Sequence, residues 1–315
     1  MHWGAAIAIN APPGVGSILI NPAFGTAHAC PPGSLIAFAE LNSIQSKTPS
    51  ATFKTKPMID WNTTYAAIWR QRQAYLRPVR HTDPIRLRQL LGIDAQKQQL
   101  ITNTERFLAG KPANNALLWG ARGTGKSSLV KALLNDYKDR GLRIIEVDKE
   151  DLLYLPEIVD DIREHDHRFI IYCDDLSFES GDSLYKPLKS VLEGSIELPP
   201  DNVLFYATSN RRHLLPEHMR DNLETQLVNG EVHYSDAIEE KISLSDRFGL
   251  RLAFYPLQTP DYLQIVDSYF SGFTGDRETL HKAALDFAHQ NAAKSGRTAR
   301  QFFNAYSQSP AIDNF

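Results

Sequence analysis

Between residues 90 and 257, short apolar runs alternate with stretches of helical spacing. Short, mainly apolar segments at 116–119, 143–147, 169–173, 203–207 and 251–255 have the length and flanks of buried strands. Ahead of them, 93–108 has helical spacing with Ala95, Leu100 and Phe107 facing inward, and between the first two a second helix runs from Ser128 and ends near Gly141. Short apolar strands separated by helices predict a parallel sheet covered on both faces, in a nucleotide-binding α/β domain over 90–257. Ligands of such sheets bind beyond the carboxyl ends of the strands. After Pro256 only helical patterns remain, at 261–270, 278–293 and 297–307, which predicts a small helical domain over 258–308 and a tail at 309–315.

The amino-terminal part reads differently. Residues 1–50 are rich in Ala, Gly, Pro and Ser, with Glu40 and Lys47 the only Asp, Glu, Lys or Arg side chains. A secretory signal needs a positive start and an unbroken apolar centre, and prolines interrupt every apolar stretch here, so a poorly ordered extension is expected. Residues 51–89 form a basic and aromatic arm with Tyr65, Trp69, Arg70, Arg72, Tyr75, Arg77, Arg80, Arg86 and Arg88. Interleaved arginines and aromatics can make a nucleic-acid platform. Pro78 and Pro84 cut the stripe short, which favours an arm packed on the core or on a neighbouring subunit.

With 315 residues, 42% hydrophobic and 23% charged, the chain can bury one large core or two modest ones. A net charge of −3 supplies no global attraction to nucleic acid or anionic membrane. Two cysteines, Cys30 and Cys173, give no disulfide framework, and no apolar run approaches bilayer length. A cytoplasmic enzyme without a membrane partner is expected.

Gly120-Ala121-Arg122-Gly123-Thr124-Gly125-Lys126-Ser127 fits G-x-x-x-x-G-K-[ST] and lies between an expected strand and an expected helix that continues at Ser128. Such a loop turns its N–H groups inward onto phosphate oxygens, and the helix start adds partial positive charge. Lys126 reaches the outer phosphates and the Ser127 hydroxyl can ligand Mg²⁺, so a nucleoside triphosphate is the expected ligand. The run at 169–173 ends in Asp174 and Asp175. The first acid is expected in the Mg²⁺ shell and the second beside the attacking water. The next strand ends in Ala207-Thr208-Ser209-Asn210, where Asn210 either bonds the terminal phosphate or its water, or simply occupies a turn.

In this order the motifs resemble those of the AAA+ ATPases over roughly residues 90–306. Leu90-Leu91-Gly92-Ile93-Asp94 is similar to the segment beside the adenine, which puts Ile93 near the base. Gly120–Ser127 matches Walker A, Asp174-Asp175 the Walker B acids and Asn210 the first sensor. Ser245-Asp246-Arg247-Phe248-Gly249 is similar to the arginine-finger segment, and Gly296-Arg297-Thr298-Ala299-Arg300 to the second-sensor helix. More narrowly, Pro112-Ala113-Asn114-Asn115, Cys173–Glu179, Ala207–His213 and Glu240–Leu244 resemble a bacterial AAA+ group of unknown function, DUF815. The resemblance implies a five-stranded parallel sheet of order 5-1-4-3-2, a helical lid, ATP and Mg²⁺ as cofactors, and a ring of like subunits, usually a hexamer.

Two departures leave alternatives open. Asp175 is one methylene shorter than the usual glutamate, so Asp175 and Glu179 compete for the catalytic base. In the lid Arg297 competes with Arg300, which is favoured. Arg247 either reaches a neighbour's nucleotide or pairs with Asp246 or Glu240. The leading function is an ATPase remodelling a macromolecular partner, protein or nucleic acid. The alternatives are a nucleic-acid-directed ATPase of helicase-loader type, in which the arm and Arg211-Arg212 share one surface, and a P-loop small-molecule kinase.

Overall fold

The computed structural model describes residues 59–178, 185–193, 198–211, 214 and 244–306, with five short strands outside those ranges. It divides into two compact units, 1–55 and 56–315. In the first, strands β1 (Ile7–Ile9), β2 (Ile18–Ile20) and β3 (Ala27–Ala29) pair antiparallel. The rest of 1–50, expected to be poorly ordered, lies outside the described residues.

The second unit is built on one sheet. Its strands are β4 (Ala66–Arg70), β5 (Tyr75–Pro78), β6 (Ala116–Gly120), β7 (Leu142–Glu146), β8 (Arg168–Cys173), β9 (Val203–Ser209) and β12 (Leu250–Phe254). A separate hairpin joins β10 (Gln226–Val228) to β11 (Glu231–His233). The main sheet runs β12-β6-β9-β8-β7-β4-β5 and is parallel except for the last pair. The expectation of five strands is therefore corrected to seven. The order 5-1-4-3-2 survives inside it as β12-β6-β9-β8-β7, and the basic arm supplies the two added strands.

Alternation along the strands makes two cores. Leu117, Ile145, Ile171 and Phe205 face one side, packed with α3 (Leu155–Ile162) and α4 (Tyr185–Glu193). Their neighbours Leu118, Ile144, Ile170 and Tyr206 face the other, packed with α1 (Asp94–Leu108) and α2 (Lys126–Tyr137). Burial on both faces is why β6, β8 and β9 read as nearly continuous apolar runs. A third core holds α5 (Thr259–Tyr269), α6 (Arg277–Gln290) and α7 (Gly296–Tyr306) together around Tyr262, Val266, Phe270, Ala284 and Phe302.

The arm is tied down by its own aromatics. Trp61 meets Phe169 edge-on at 4.9 Å, and Trp69 is 2% exposed. Tyr65 lies under the Lys138 ammonium and the Arg143 guanidinium, while Arg143, buried within β7, donates to the Trp61 carbonyl at 2.7 Å. Farther along, Asn135 and Asp136 at the end of α2 clamp the chain after Pro78. Asn135 Nδ2 donates to the carbonyls of Asp83 and Ile85, and Asp136 accepts from Arg86 and from the Leu87 N–H. The strap that this clamp holds becomes a wall of the site described next. Among the described residues, no helix is long and apolar enough to cross a membrane.

Candidate nucleotide site

The glycine loop leaves β6 where β12 lies alongside it. Gly120 sits opposite Phe254 at φ +127°, and a Cβ there would stand 2.0 Å from the Phe254 carbonyl oxygen. Only glycine lets the two strand ends come so close, and the Ala121 N–H uses the approach to bond that carbonyl at 3.0 Å. Gly123, at φ +75°, faces the carboxy-terminal helices: a Cβ would stand 2.8 Å from Ser295 Oγ. Thr124 Oγ1 closes the loop onto the Ala121 carbonyl at 2.8 Å.

Lys126 opens α2 and is 7% exposed. Its ammonium donates to the carbonyls of Gly120 (2.9 Å) and Ala121 (2.7 Å). Burial is the main influence lowering its pKa, and Asp174 and Asp175 oppose the shift. The loop thus holds a desolvated cation directly under its own rim.

The acids stand at the end of β8. Three hydroxyls donate to one oxygen of Asp174, Oδ1: Ser127 at 2.8 Å, Tyr172 at 2.7 Å, and Thr208. Burial, the largest single influence on this carboxyl, would raise its pKa. The hydrogen bonds from Thr208, Tyr172 and Ser127, helped by the Lys131 charge, outweigh it and hold the pKa below the ordinary value. Asp175 adopts the left-handed conformation at φ +51°. Its N–H donates to Thr208 Oγ1 at 2.9 Å, and its Oδ1 accepts from Asn210 Nδ2. Strand ends β8 and β9 are thereby locked side by side, with Asp174 and Asp175 facing the loop.

These residues line a cavity of about 650 Å³. Of the residues expected from sequence, Arg122, Gly123, Thr124, Gly125, Lys126, Ser127, Ser128, Ile93, Asp174, Asp175, Asn210 and Arg300 all border it, and Arg297 does too. Gly120 and Ala121 lie behind it and present carbonyls to Lys126. Both lid arginines are exposed, so burial does not decide between them. Glu179, the competing base, and Glu240 lie outside the described residues.

Arg247 is not in this cavity. It precedes β12, whose amino-terminal residue Leu250 pairs with Ala116, whereas the glycine loop leaves the other end of β6. Five strand residues separate the two ends by about 16 Å. Its suggested partner Asp246 pairs with Arg251 at 2.7 Å.

Several wall residues escaped the sequence reading. Thr208 stood in view beside Asn210, at the same strand end. Lys131 is one helical turn beyond Ser127, a spacing that puts both on one face. Asp83, Ile85 and Gln89 come from the strap, and Leu257, Ile265 and Tyr269 from the chain around α5. Nothing local in their sequence marks them. The apolar members of this set, with Leu90, Leu91 and Ile93, give the cavity an apolar stretch of wall.

A family model described as "Protein of unknown function (DUF815)" matches residues 62–309. The replication factor C large subunit of Staphylothermus marinus is 41% identical over 69 residues, which is 22% of this chain and only 16% of that protein. Among solved structures, a variant of Thermotoga maritima RuvB aligns at TM-score 0.40 and 14% identity, covering 70% of this chain and 71% of that one. RuvB from the same organism, described as a Holliday junction branch migration motor, aligns at TM-score 0.39 and 15% identity with the same coverage. Likeness at that level is too coarse to speak to the site. The family match covers most of the chain and every residue that lines the cavity, and on it the chain belongs to the DUF815 family.

Proposed function

We propose that this chain is a Mg²⁺-dependent ATPase of AAA+ type that acts on a macromolecular partner in the cytoplasm, as a ring of like subunits and most simply a hexamer. The observation that carries the reading is the 2.8 Å bond from Ser127 Oγ to Asp174 Oδ1. It joins the glycine loop after β6 to the acid after β8, across the intervening β9. A hydroxyl and a carboxylate brought together at a helix start form the hard oxygen set that Mg²⁺ shares with nucleotide phosphates. When bound, the ion neutralises phosphate charge.

The chain's own groups divide the remaining work. The N–H groups of the loop and the start of α2 bind phosphate oxygens, and Lys126 adds a fixed charge that water does not screen. Asp175 orients and deprotonates the attacking water. Its Oδ1 is held by the Asn210 amide, which fixes the carboxylate plane and leaves Oδ2 for the water. Thr208 sets both acids at once. Arg297 and Arg300 reach the cavity from α7 and respond to the phosphates, with Arg300 the stronger candidate. The base packs on the apolar stretch of wall that includes Ile93 and Tyr269. Arg247, at the far end of the sheet from its own loop, serves the nucleotide of the adjoining subunit.

Titration calorimetry with ATP and Mg²⁺ tests the reading. Lys126→Ala is expected to abolish binding while the chain still folds, since the lysine's ammonium sits in the loop at the cavity and not in one of the apolar cores. Unchanged affinity overturns the assignment. Steady phosphate release without an added acceptor separates an ATPase from a small-molecule kinase.

A further inference from the structure

A second concave feature lies at the opposite side of the sheet from β12, where β5 is the open edge. At the turn of the β4–β5 hairpin, a cavity of about 470 Å³ is lined by Arg70, Arg72, Arg77, Gln71, Tyr75 and Asp151 among others. The register explains how the groups converge. Arg70 and Tyr75 are directly paired and Arg77 is two residues beyond Tyr75, so all three side chains share one face. Trp69 and Leu76, paired on the opposite face, are buried in the core and hold the hairpin rigid. Among the described residues, no carboxylate lies within ion-pair distance of Arg70, Arg72 or Arg77. The acid in the wall, Asp151, is 6% exposed, and burial, reinforced by Asp148 and Glu150, raises its pKa. Arg70 acts the other way and lowers it.

Positive side chains on an edge strand often serve only to block pairing with other chains, and Arg77 beside Pro78 fits that role. Arg70 and Arg72 do not. Arg70 belongs to the inner strand β4 and Arg72 to the helical turn that follows it, so neither guards an edge. Both still point into the same hollow, in a chain whose net charge is −3. Like charges gathered around a half-buried aromatic ring and flanking amides fit a ligand with phosphates spaced along it and flat bases between them. A duplex is too wide for a hollow of this size, and a lipid surface calls for a broad apolar face rather than a notch.

We propose that the turn of the β4–β5 hairpin binds single-stranded nucleic acid, with Arg70, Arg72 and Arg77 on consecutive phosphates and Tyr75 stacked under a base. The site stands apart from the nucleotide cavity and does not depend on the ATPase reading.

Fluorescence anisotropy of the full chain with a labelled oligothymidylate of about 20 nucleotides tests it. Binding is expected to weaken with salt, and three phosphate contacts contribute about −2 to the slope of log affinity against log salt. Arg70→Glu/Arg72→Glu/Arg77→Glu should lose at least about tenfold in affinity together with that part of the slope. Tyr75→Ala should lose about tenfold with the slope kept, and Tyr75→Phe should bind as the parent does. Lys126→Ala should still bind the strand, which separates failure here from failure of the nucleotide assignment. If the triple variant melts early, Arg72→Gln, fully on the surface, decides by a loss of about threefold. Wild-type affinity in the arginine variants overturns the proposal. So does equal competition by thymidine monophosphate at matched phosphate concentration, which marks a site for free phosphate compounds. Displacement by phosphatidylserine vesicles but not by unlabelled strand overturns it in favour of a membrane.

Discussion

The Thr208 hydroxyl donates to Asp174 Oδ1, and its own oxygen, Oγ1, accepts the N–H of Asp175. One side chain on β9 thus sets the charge state of the first acid and the backbone of the second, whose φ of +51° needs an outside hold. Thr208→Val keeps the shape and removes both bonds. Hydrogen bonds to charged groups contribute about 1.5–3 kcal/mol, so turnover should fall roughly tenfold to a hundredfold. Affinity for ATP, held by the loop and Lys126, should change less than about threefold. Equal losses in both would place Thr208 in binding rather than in positioning the acids.

Asp175→Asn should retain ATP and lose turnover by about a hundredfold or more, the usual contribution of a general base. Single-turnover phosphate release beside calorimetric binding checks this. Normal release by Asp175→Asn, with loss in Glu179→Gln, moves the base to Glu179.

The close approach at Gly120 predicts a stability effect rather than a chemical one. A Cβ 2.0 Å from the Phe254 carbonyl oxygen, on a residue at φ +127°, forces β6 and β12 apart. Backbone strain of about 1–3 kcal/mol plus that clash should lower the melting temperature by roughly 4–10 °C in Gly120→Ala. Gly141→Ala is the control: φ is +91° but a Cβ there meets nothing within 4 Å, so strain alone remains and the drop should be smaller.

Acid titration isolates Asp174. Its pKa in the folded state lies below the ordinary 3.8. The stabilisation this brings is fully present above the unfolded value and is lost as pH falls through the folded one. The stability difference between wild type and Asp174→Asn should therefore be flat from about pH 8 to about pH 5 and shrink only below about pH 4. A difference that changes near neutrality means the three hydroxyls do not hold the carboxylate charged.

Arg247 makes the ring testable. Arg247→Ala and Lys126→Ala should each be nearly inactive, the first still binding ATP. Mixed, they should recover activity, because a Lys126→Ala subunit lends an intact Arg247 to its neighbour. An arginine in that position is worth about 10³–10⁵ in rate in related phosphoryl-transfer systems. No recovery on mixing, with specific activity independent of protein concentration, leaves a monomeric ATPase.

The sequence by itself determined the machinery that is local along the chain. Gly120 to Ser127 was legible as a glycine loop of phosphate-binding pattern because its glycines, lysine and hydroxyl lie within eight consecutive residues, between a strand and a helix. Strands β6, β8 and β9 were legible because burial on both faces leaves a nearly unbroken apolar run, and β7 and β12 because short apolar runs remain beside Arg143, Glu146 and Arg251. Asp174 and Asp175 followed from their place at such a run's end. The β4–β5 pair was not legible: one of its faces carries arginines, and the prolines and charges around it resemble a solvated arm. Only the tertiary structure decided what that arm does. Asn135 and Asp136 hold Asp83, Ile85 and Leu87 from some fifty residues away, so that Asp83, Ile85 and Gln89 wall the cavity, and Tyr172 and Thr208 converge on Asp174 from neighbouring positions of two strands. Such groups carry no signal in their own neighbourhood, because their role depends on which strand end lies next to which, and that is settled by sheet order.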